Sequence, residues 1–272
     1  MDALAAKMRR GRRYSDPADA GGDHAATGDR GAASHGDGKP EPEIRDFPAL
    51  RPQAFHGLPG RIVRTIEPHT EADAAALLLN LLAFFGNALG RGPHYRVEST
   101  DHGTNLFVLQ VGDSSKARKG TAADRIKQLF RHVDQEWSAK RIESGLSSGE
   151  GVIWAVRDSI TKMVRDGKGA SSMIIEEVID HGIADKRLMV IEPEFAGALR
   201  VMQRDGNILS RVLRDGWDRG DLGALTKNNL AKATGATISV VGHITSTELR
   251  ECLDRTEMAS GFANRFLFAC VR

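Results

Sequence analysis

A chain of 272 residues, 40% of them hydrophobic, has material for one large domain or two small ones. Its formal net charge of +2 does not mark a nucleic-acid protein by composition alone. Two cysteines, Cys252 and Cys270, make neither a disulfide framework nor a metal-ligand spacing, and they suit a reducing cytoplasm.

Residues 1–50 carry a basic cluster (Lys7, Arg9, Arg10, Arg12, Arg13) and then a Gly-, Ala-, Asp- and His-rich tract without apolar periodicity. They read as a disordered, solvated tail or a linker from another domain, with contact to nucleic acid as the alternative. No apolar h-region follows the basic residues, so a secretory signal is not expected. Residues 51–100 read as an N-terminal helical segment. Leu58–Ile66 predicts a short helix ended near Pro68. Thr70 predicts the cap of the next helix, with Asp73 completing a capping box. That helix covers Ala74–Leu89, an apolar run too short for a bilayer span and interrupted by Asn80 and Asn87, and Gly90 and Gly92 stop it. His94–Glu98 predicts a short strand, with a turn at Asp101–Thr104 leading into the next strand, so that a hairpin is expected here.

Residues 101–272 read as the core. Leu106–Val111 is an apolar strand of the kind covered on both faces, and Ile126, Leu129 and Phe130 continue at helical spacing. Between them lies a turn containing Gly112, Lys116, Arg118, Lys119, Gly120 and Thr121. A strand, a polar turn and a helix start together present free amides and a positive dipole end to an anion. The pattern departs from G-x-x-x-x-G-K-[ST]: it has one extra residue and no second glycine before the lysine. Lys119-Gly120-Thr121 resembles the K-G-T that ends the phosphate loop of adenylate kinases. On that alignment Lys119 contacts terminal phosphates and Thr121 reaches magnesium, while Arg118 competes for the lysine role. The alternative is a basic helix-start loop on an ordinary α/β domain.

In the stretch Glu143–Asp158, Ser148 predicts an N-cap and Glu150 a favourable first-turn charge for a helix over Val152–Val156. The alternative places this loop near a nucleotide or a partner subunit. Ser159–Ile183 fits an inserted hairpin turning around Asp166–Gly169. Leu188–Ile191 then ends in Glu192-Pro193-Glu194, the form of a Walker B strand that delivers carboxylates to a sheet edge. Glu192 is assigned to the magnesium side and Glu194 to the water side. The alternative is that Glu194 only opens the following helix. Phe195–Met202 and Leu209–Trp217 predict helices, with Trp217 in the core. Lys227, Asn228 and Asn229 read as a solvated turn, with a DNA-facing loop as alternative. Thr237–Val241 is a third strand, ending in Gly242-His243-Ile244-Thr245, where His243 or Thr245 is placed to sense a γ-phosphate. A satisfied structural histidine is the competing interpretation. Arg265 opens a last strand, either as an arginine finger for a neighbour or as the partner of a carboxylate in its own domain.

Four features, VGDSSKARKGT, SGLSSGEG, LMVIEPEF, and VVGHIT followed by GFANRFL, occur in order and together resemble a P-loop family of DNA primase/helicase proteins of actinobacteria, phages and mobile elements. The resemblance spans residues 50–272. It implies a RecA-like NTPase core with a mostly parallel sheet, strands near 106–111, 187–192, 237–242 and 265–271, and ATP and Mg2+ as cofactors. Lys119, Gly120 and Thr121 would form the phosphate loop, Glu192 and Glu194 the Walker B acids, His243 the sensor and Arg265 the finger. It further implies DNA as partner, with a homo-oligomeric ring and primase or other replication proteins as further partners. The cysteines and the short apolar run themselves suit a cytoplasmic setting without membrane, and because the sequence stops inside or just after its last strand, a truncated core is expected. Because the loop and the Glu-Pro-Glu depart from the usual pattern, a non-hydrolysing nucleotide- or DNA-binding module is the alternative, and a small-molecule phosphotransferase a further one.

Overall fold

Five strands with apolar side chains form the centre of the fold. The computed structural model describes residues 47–113, 118–166, 173–225, 231–253 and 261–272. Residues 1–46 of the tail read over residues 1–50, the cation Lys116, residues 167–169 of the turn read over Asp166–Gly169, and the polar residues Lys227, Asn228 and Asn229 lie outside the described residues. The elements in order are α1 Gly57–Ile66, α2 Ala74–Leu89, β1 His94–Val97, β2 Thr100–Gly103, β3 Phe107–Val111, α3 Lys119–Val133, α4 Gln135–Lys140, β4 Ile142–Glu143, α5 Gly149–Ala155, β5 Ile160–Asp166 and β6 Met173–Asp180. They continue with β7 Arg187–Glu192, α6 Phe195–Met202, α7 Leu209–Asp218, β8 Leu222–Gly223, β9 Lys232–Ala233, β10 Thr237–Ile244, α8 Ser246–Cys252 and β11 Phe266–Cys270.

The central sheet has the order β11-β3-β10-β7-β4, and every pairing is parallel. Parallel strands need covered faces, and the sequence supplies both covers. On one face Val108, Met189 and Val241 pack with Leu77, Phe84, Ile126, Phe130 and Trp137 from α2, α3 and α4. On the other, Phe107, Leu109, Val190 and Val240 pack with α5, α6 and α7 through Ile153, Phe195, Leu199 and Leu213. All eight residues of β10 are buried, as befits a strand in the middle of a sheet covered on both faces. β10 comes after β7 in the chain but lies between β3 and β7, so its tip stands between the ends of those two strands.

The helical segment 51–100 shares one compact unit, Asp46–Arg272, with the sheet. Asn87 of α2 fixes that contact: its Nδ2 donates to Leu188 O (3.0 Å), Thr237 O (3.0 Å) and Ser239 Oγ (3.3 Å). Its Oδ1 accepts from Trp137 Nε1 at 3.0 Å. Two local expectations are corrected. Asp73, not Thr70, caps α2, because its carboxylate accepts from Ala75 N at 2.8 Å, whereas Thr70 Oγ1 takes Ala72 N in a turn before the helix. The hairpin pairs β1 with β2 around Glu98 and Ser99, so Asp101–Gly103 belong to a strand and not to the turn. The hairpin read in Ser159–Ile183 is present as β5–β6. The edge strand β4, two residues long, had no counterpart in the sequence-based expectations. No helix among the described residues is long and apolar enough to cross a membrane.

Candidate functional site

Because the five strands run parallel, their C-terminal ends share one edge of the sheet. Ile244 pairs with Val111, Gly242 with Glu192, and Val190 with Glu143, so the ends of β3, β10, β7 and β4 stand side by side. The Lys119 and Glu192–Glu194 groups are therefore at the same edge, as a phosphate site requires.

The loop after β3 enters α3 through Arg118, a non-glycine residue in the left-handed region at φ 43°. That twist separates the two competing cations. Arg118 stands on the rim with its guanidinium 2.7 Å from Glu71. Lys119 turns inward, is only 8% exposed, and donates from Nζ to Gly112 O at 2.6 Å and more weakly to Asp113 O at 3.4 Å. Burial lowers its pKa, and Asp113 and Glu248 oppose the shift. Gly120 and Thr121 follow in the first turn of α3, whose amides have no intrahelical acceptor.

These residues border a cleft of about 790 Å³ whose other walls include Glu194, His243, Thr245 and Glu248. A second cavity of about 330 Å³ shares Gly120, Pro193 and His243 with it and is closed by Asp124, Lys127, Glu143 and Ser144. His243 thus stands between the two. It is 4% exposed, and its Nε2 has no hydrogen-bond partner among the described residues. Burial, reinforced by the nearby Lys119 charge, lowers its pKa to about 4, so the ring is neutral at neutral pH. A fully satisfied structural histidine would have both nitrogens bonded. Thr245, the other sensor candidate, is occupied: its hydroxyl and Glu248 form the capping box of α8.

The two acids of the Glu-Pro-Glu face different ways. Glu194 occupies the N-cap position of α6 but makes no side-chain cap bond, and it lines the cleft. Glu192 lines neither cavity; its Oε2 accepts from Gly145 N at 2.8 Å and Leu146 N at 2.9 Å. Ser148 caps α5 by accepting from Gly151 N at 3.0 Å, as the local pattern predicted. Arg265 lies at the opposite edge, before the start of β11. It donates to both Asp218 carboxylate oxygens, at 3.2 and 2.6 Å, and to Gly261 O at 2.7 Å. Of its two readings, pairing within its own domain is the one displayed. At that same far edge a cavity of about 780 Å³ lies beside half-buried Trp217, but its carboxylates Asp101 and Asp218 are already paired with Arg96 and Arg265, and Asp221 accepts from Gly235 N at 2.9 Å.

Glu143 and Ser144 were not among the sequence-based candidates. The strand that ends at Glu143 is too short to show a period, and only its pairing with β7 brings Glu143, and Ser144 after it, to the site edge. Among the described residues no group of three or more His, Cys, Asp or Glu side chains is arranged to hold a metal by itself. Magnesium held jointly with a polyphosphate needs only one or two protein oxygens, and the Thr121 hydroxyl and Glu194 carboxylate border the same cleft. The donor set therefore fits a magnesium–polyphosphate and not a bare ion. Comparison of the chain with known protein families finds no match, and comparison with curated proteins finds none either.

Proposed function

We propose that this cleft binds the polyphosphate of ATP with Mg2+, and that the chain is a RecA-like P-loop ATPase acting on DNA in the replication of a phage or mobile element. The observation that carries the nucleotide reading is the convergence of three groups on one cleft: Lys119 at the helix start, the Nε2 of His243, which has no partner among the described residues, and the carboxylate of Glu194. An anion there meets the first-turn amides of α3 and the ammonium of Lys119, which exchanges the Gly112 carbonyl for phosphate oxygens. His243, neutral at the tip of the middle strand, offers Nε2 to the terminal phosphate. Glu194 orients the attacking water toward the γ-phosphorus and accepts its proton as the bond to the bridging oxygen breaks. Magnesium, when bound, would neutralise charge on the phosphates, held on the protein side by the Thr121 hydroxyl. DNA, ring assembly and replication partners rest on the ordered set of motifs in the sequence. For Arg265 to reach a neighbour's phosphates it would first have to leave Asp218.

ATP binding and DNA-stimulated turnover by the wild type, Lys119→Ala and Glu194→Gln test this reading. Lys119→Ala is expected to weaken binding at least about tenfold, the loss of one charge-assisted contact. Glu194→Gln is expected to keep binding and lose turnover by about 10²-fold. Equal turnover in wild type and Lys119→Ala overturns the enzyme. Binding without turnover in the wild type selects the second reading, a non-hydrolysing nucleotide-binding module. One observation favours that reading: Glu192, which the motif assigns to magnesium, is held by backbone amides. Turnover only in the presence of a nucleoside monophosphate selects a phosphotransferase.

A further inference from the structure

Strand β4 has almost no ladder of its own. It pairs only with β7, through Ile142 opposite Met189 and Glu143 opposite Val190, and it forms the outer edge of the sheet. Two paired residues cannot by themselves fix the chain on either side of them. On the N-terminal side Arg141 does so: its carbonyl accepts from Met189 N at 2.9 Å, and its guanidinium donates to Arg187 O at 2.7 Å and Ala155 O at 2.8 Å. On the C-terminal side the chain leaves the sheet at Ser144 and turns through Gly145, whose φ of 88° is a conformation that glycine tolerates best. Two consecutive amides, those of Gly145 and Leu146, then converge on one oxygen of Glu192. Successive N–H groups directed at one point form an anion-binding concavity, and here a carboxylate of the same chain fills it. Leu146 enters the core immediately afterwards. The loop is thus tied between the end of β7 and the hydrophobic interior, and the residues just before it, Glu143 and Ser144, wall the cavity that opens on His243 and Gly120.

We propose that Glu192 is a positioning residue: its carboxylate fixes the Ser144–Leu146 loop and, through it, sets Glu143 in the wall of the smaller cavity that adjoins the nucleotide cleft at Gly120, Pro193 and His243. Glu192 acts on the site through this loop and does not contact the metal. The functional half of the inference rests on the nucleotide reading above; the structural half stands without it.

The test has two readouts on the full chain. The first is amide hydrogen exchange in the nucleotide-free protein. Glu192→Ala is expected to speed exchange at Gly145 and Leu146 about tenfold or more, whereas Glu192→Gln, whose amide oxygen still accepts, keeps most of the protection. Unchanged exchange in Glu192→Ala overturns the clamp. Should that variant fail to fold, Glu192→Asp, one methylene short of the loop, replaces it. The second is magnesium-dependent ATP binding and turnover. Glu192→Gln is expected to leave the magnesium midpoint unchanged within about twofold, and an increase of about tenfold makes Glu192 a direct ligand and overturns the proposal. The effect of Glu143→Gln on turnover, or on binding if the wild type does not turn over, is expected to vanish in the Glu192→Ala background; additive effects overturn the path through Glu143. If the wild type binds no nucleotide, the nucleotide reading falls, together with the functional half of this inference, while amide exchange still decides the clamp.

Discussion

His243 carries opposed demands in one side chain. Its strand is buried from end to end, yet beside the Lys119 ammonium the ring keeps a nitrogen without a partner among the described residues. Desolvation and that neighbouring charge both disfavour the imidazolium, which is why the pKa falls from the ordinary 6.5 to about 4. A histidine whose folded pKa is depressed makes stability fall on acidification. Between pH 6.5 and about 4 the unfolded chain binds a proton that the folded chain refuses, so unfolding free energy rises with pH across this window. The full shift corresponds to about 3 kcal/mol. Urea denaturation of the wild type and His243→Asn at pH 7.5 and pH 4.5 checks this. The wild type is expected to lose about 2–3 kcal/mol more than the variant over that interval. Parallel losses in both proteins would show that the ring is not desolvated in the fold. The same comparison separates His243 from the carboxylates with lowered pKa values, such as Glu248 and Asp158, because those remain in both proteins.

At the scale of elements, what could be read from the sequence depends on what each element buries. β3, β7 and β10 are legible because strands covered on both faces must be apolar runs, and α3 and α6 because one face alone is buried. β4 is illegible because two residues carry no period; its place is set by Arg141 and by β7, distant in sequence. The β1–β2 turn was misplaced because Glu98, which takes φ 54°, is not a residue that announces a left-handed turn, whereas the nearby Gly103 does. The site was legible as an edge but not as a set of directions. Spacing places Glu192 and Glu194 together, yet the orientation of Glu192 is decided by the amides of Gly145 and Leu146. Similarly, Asn87 reads as an interruption in an apolar helix, while in the fold it satisfies groups on β7, β10 and α4 at once. Asn87→Leu keeps the branched shape, in a somewhat larger side chain, and removes the polarity, leaving the Trp137 N–H without its acceptor and two strand carbonyls without this donor. It is expected to destabilise the protein by about 2–4 kcal/mol, read as a lower urea midpoint with an unchanged m-value. A change below about 1 kcal/mol would mean that these groups find other partners.

For the whole molecule, the question is which parts the three-layer core needs. The sheet is tied to its α2–α4 layer by Asn87 and by Arg187, which reaches Asp134, Asp185 and the Ala88 carbonyl. The β5–β6 hairpin forms a sheet of its own, paired with none of the five central strands. Its base is clamped: Arg157 grips Asp180, and Asp158 accepts from Lys186 and Thr234. Beyond that base its apolar side chains face solvent, with Met163 and Ile174 each 68% exposed and Val178 and Ile179 close to half exposed. Two strands without a covered face contribute little to the stability of the unit that carries them, and exposed apolar side chains favour association. Replacing residues 162–178 by a short Gly-Ser turn, with Arg157, Asp158 and Asp180 kept, is therefore expected to leave the unfolding free energy within about 1 kcal/mol of wild type. The proposed ATP binding at Lys119 is expected to be unaffected, because the base of the hairpin is tied to Lys186, just before β7 at the sheet edge opposite the cleft. Light scattering on concentrated samples is expected to fall. A loss of several kcal/mol would instead make the hairpin part of the cooperative unit, and weaker ATP binding with unchanged stability would connect it to the cleft.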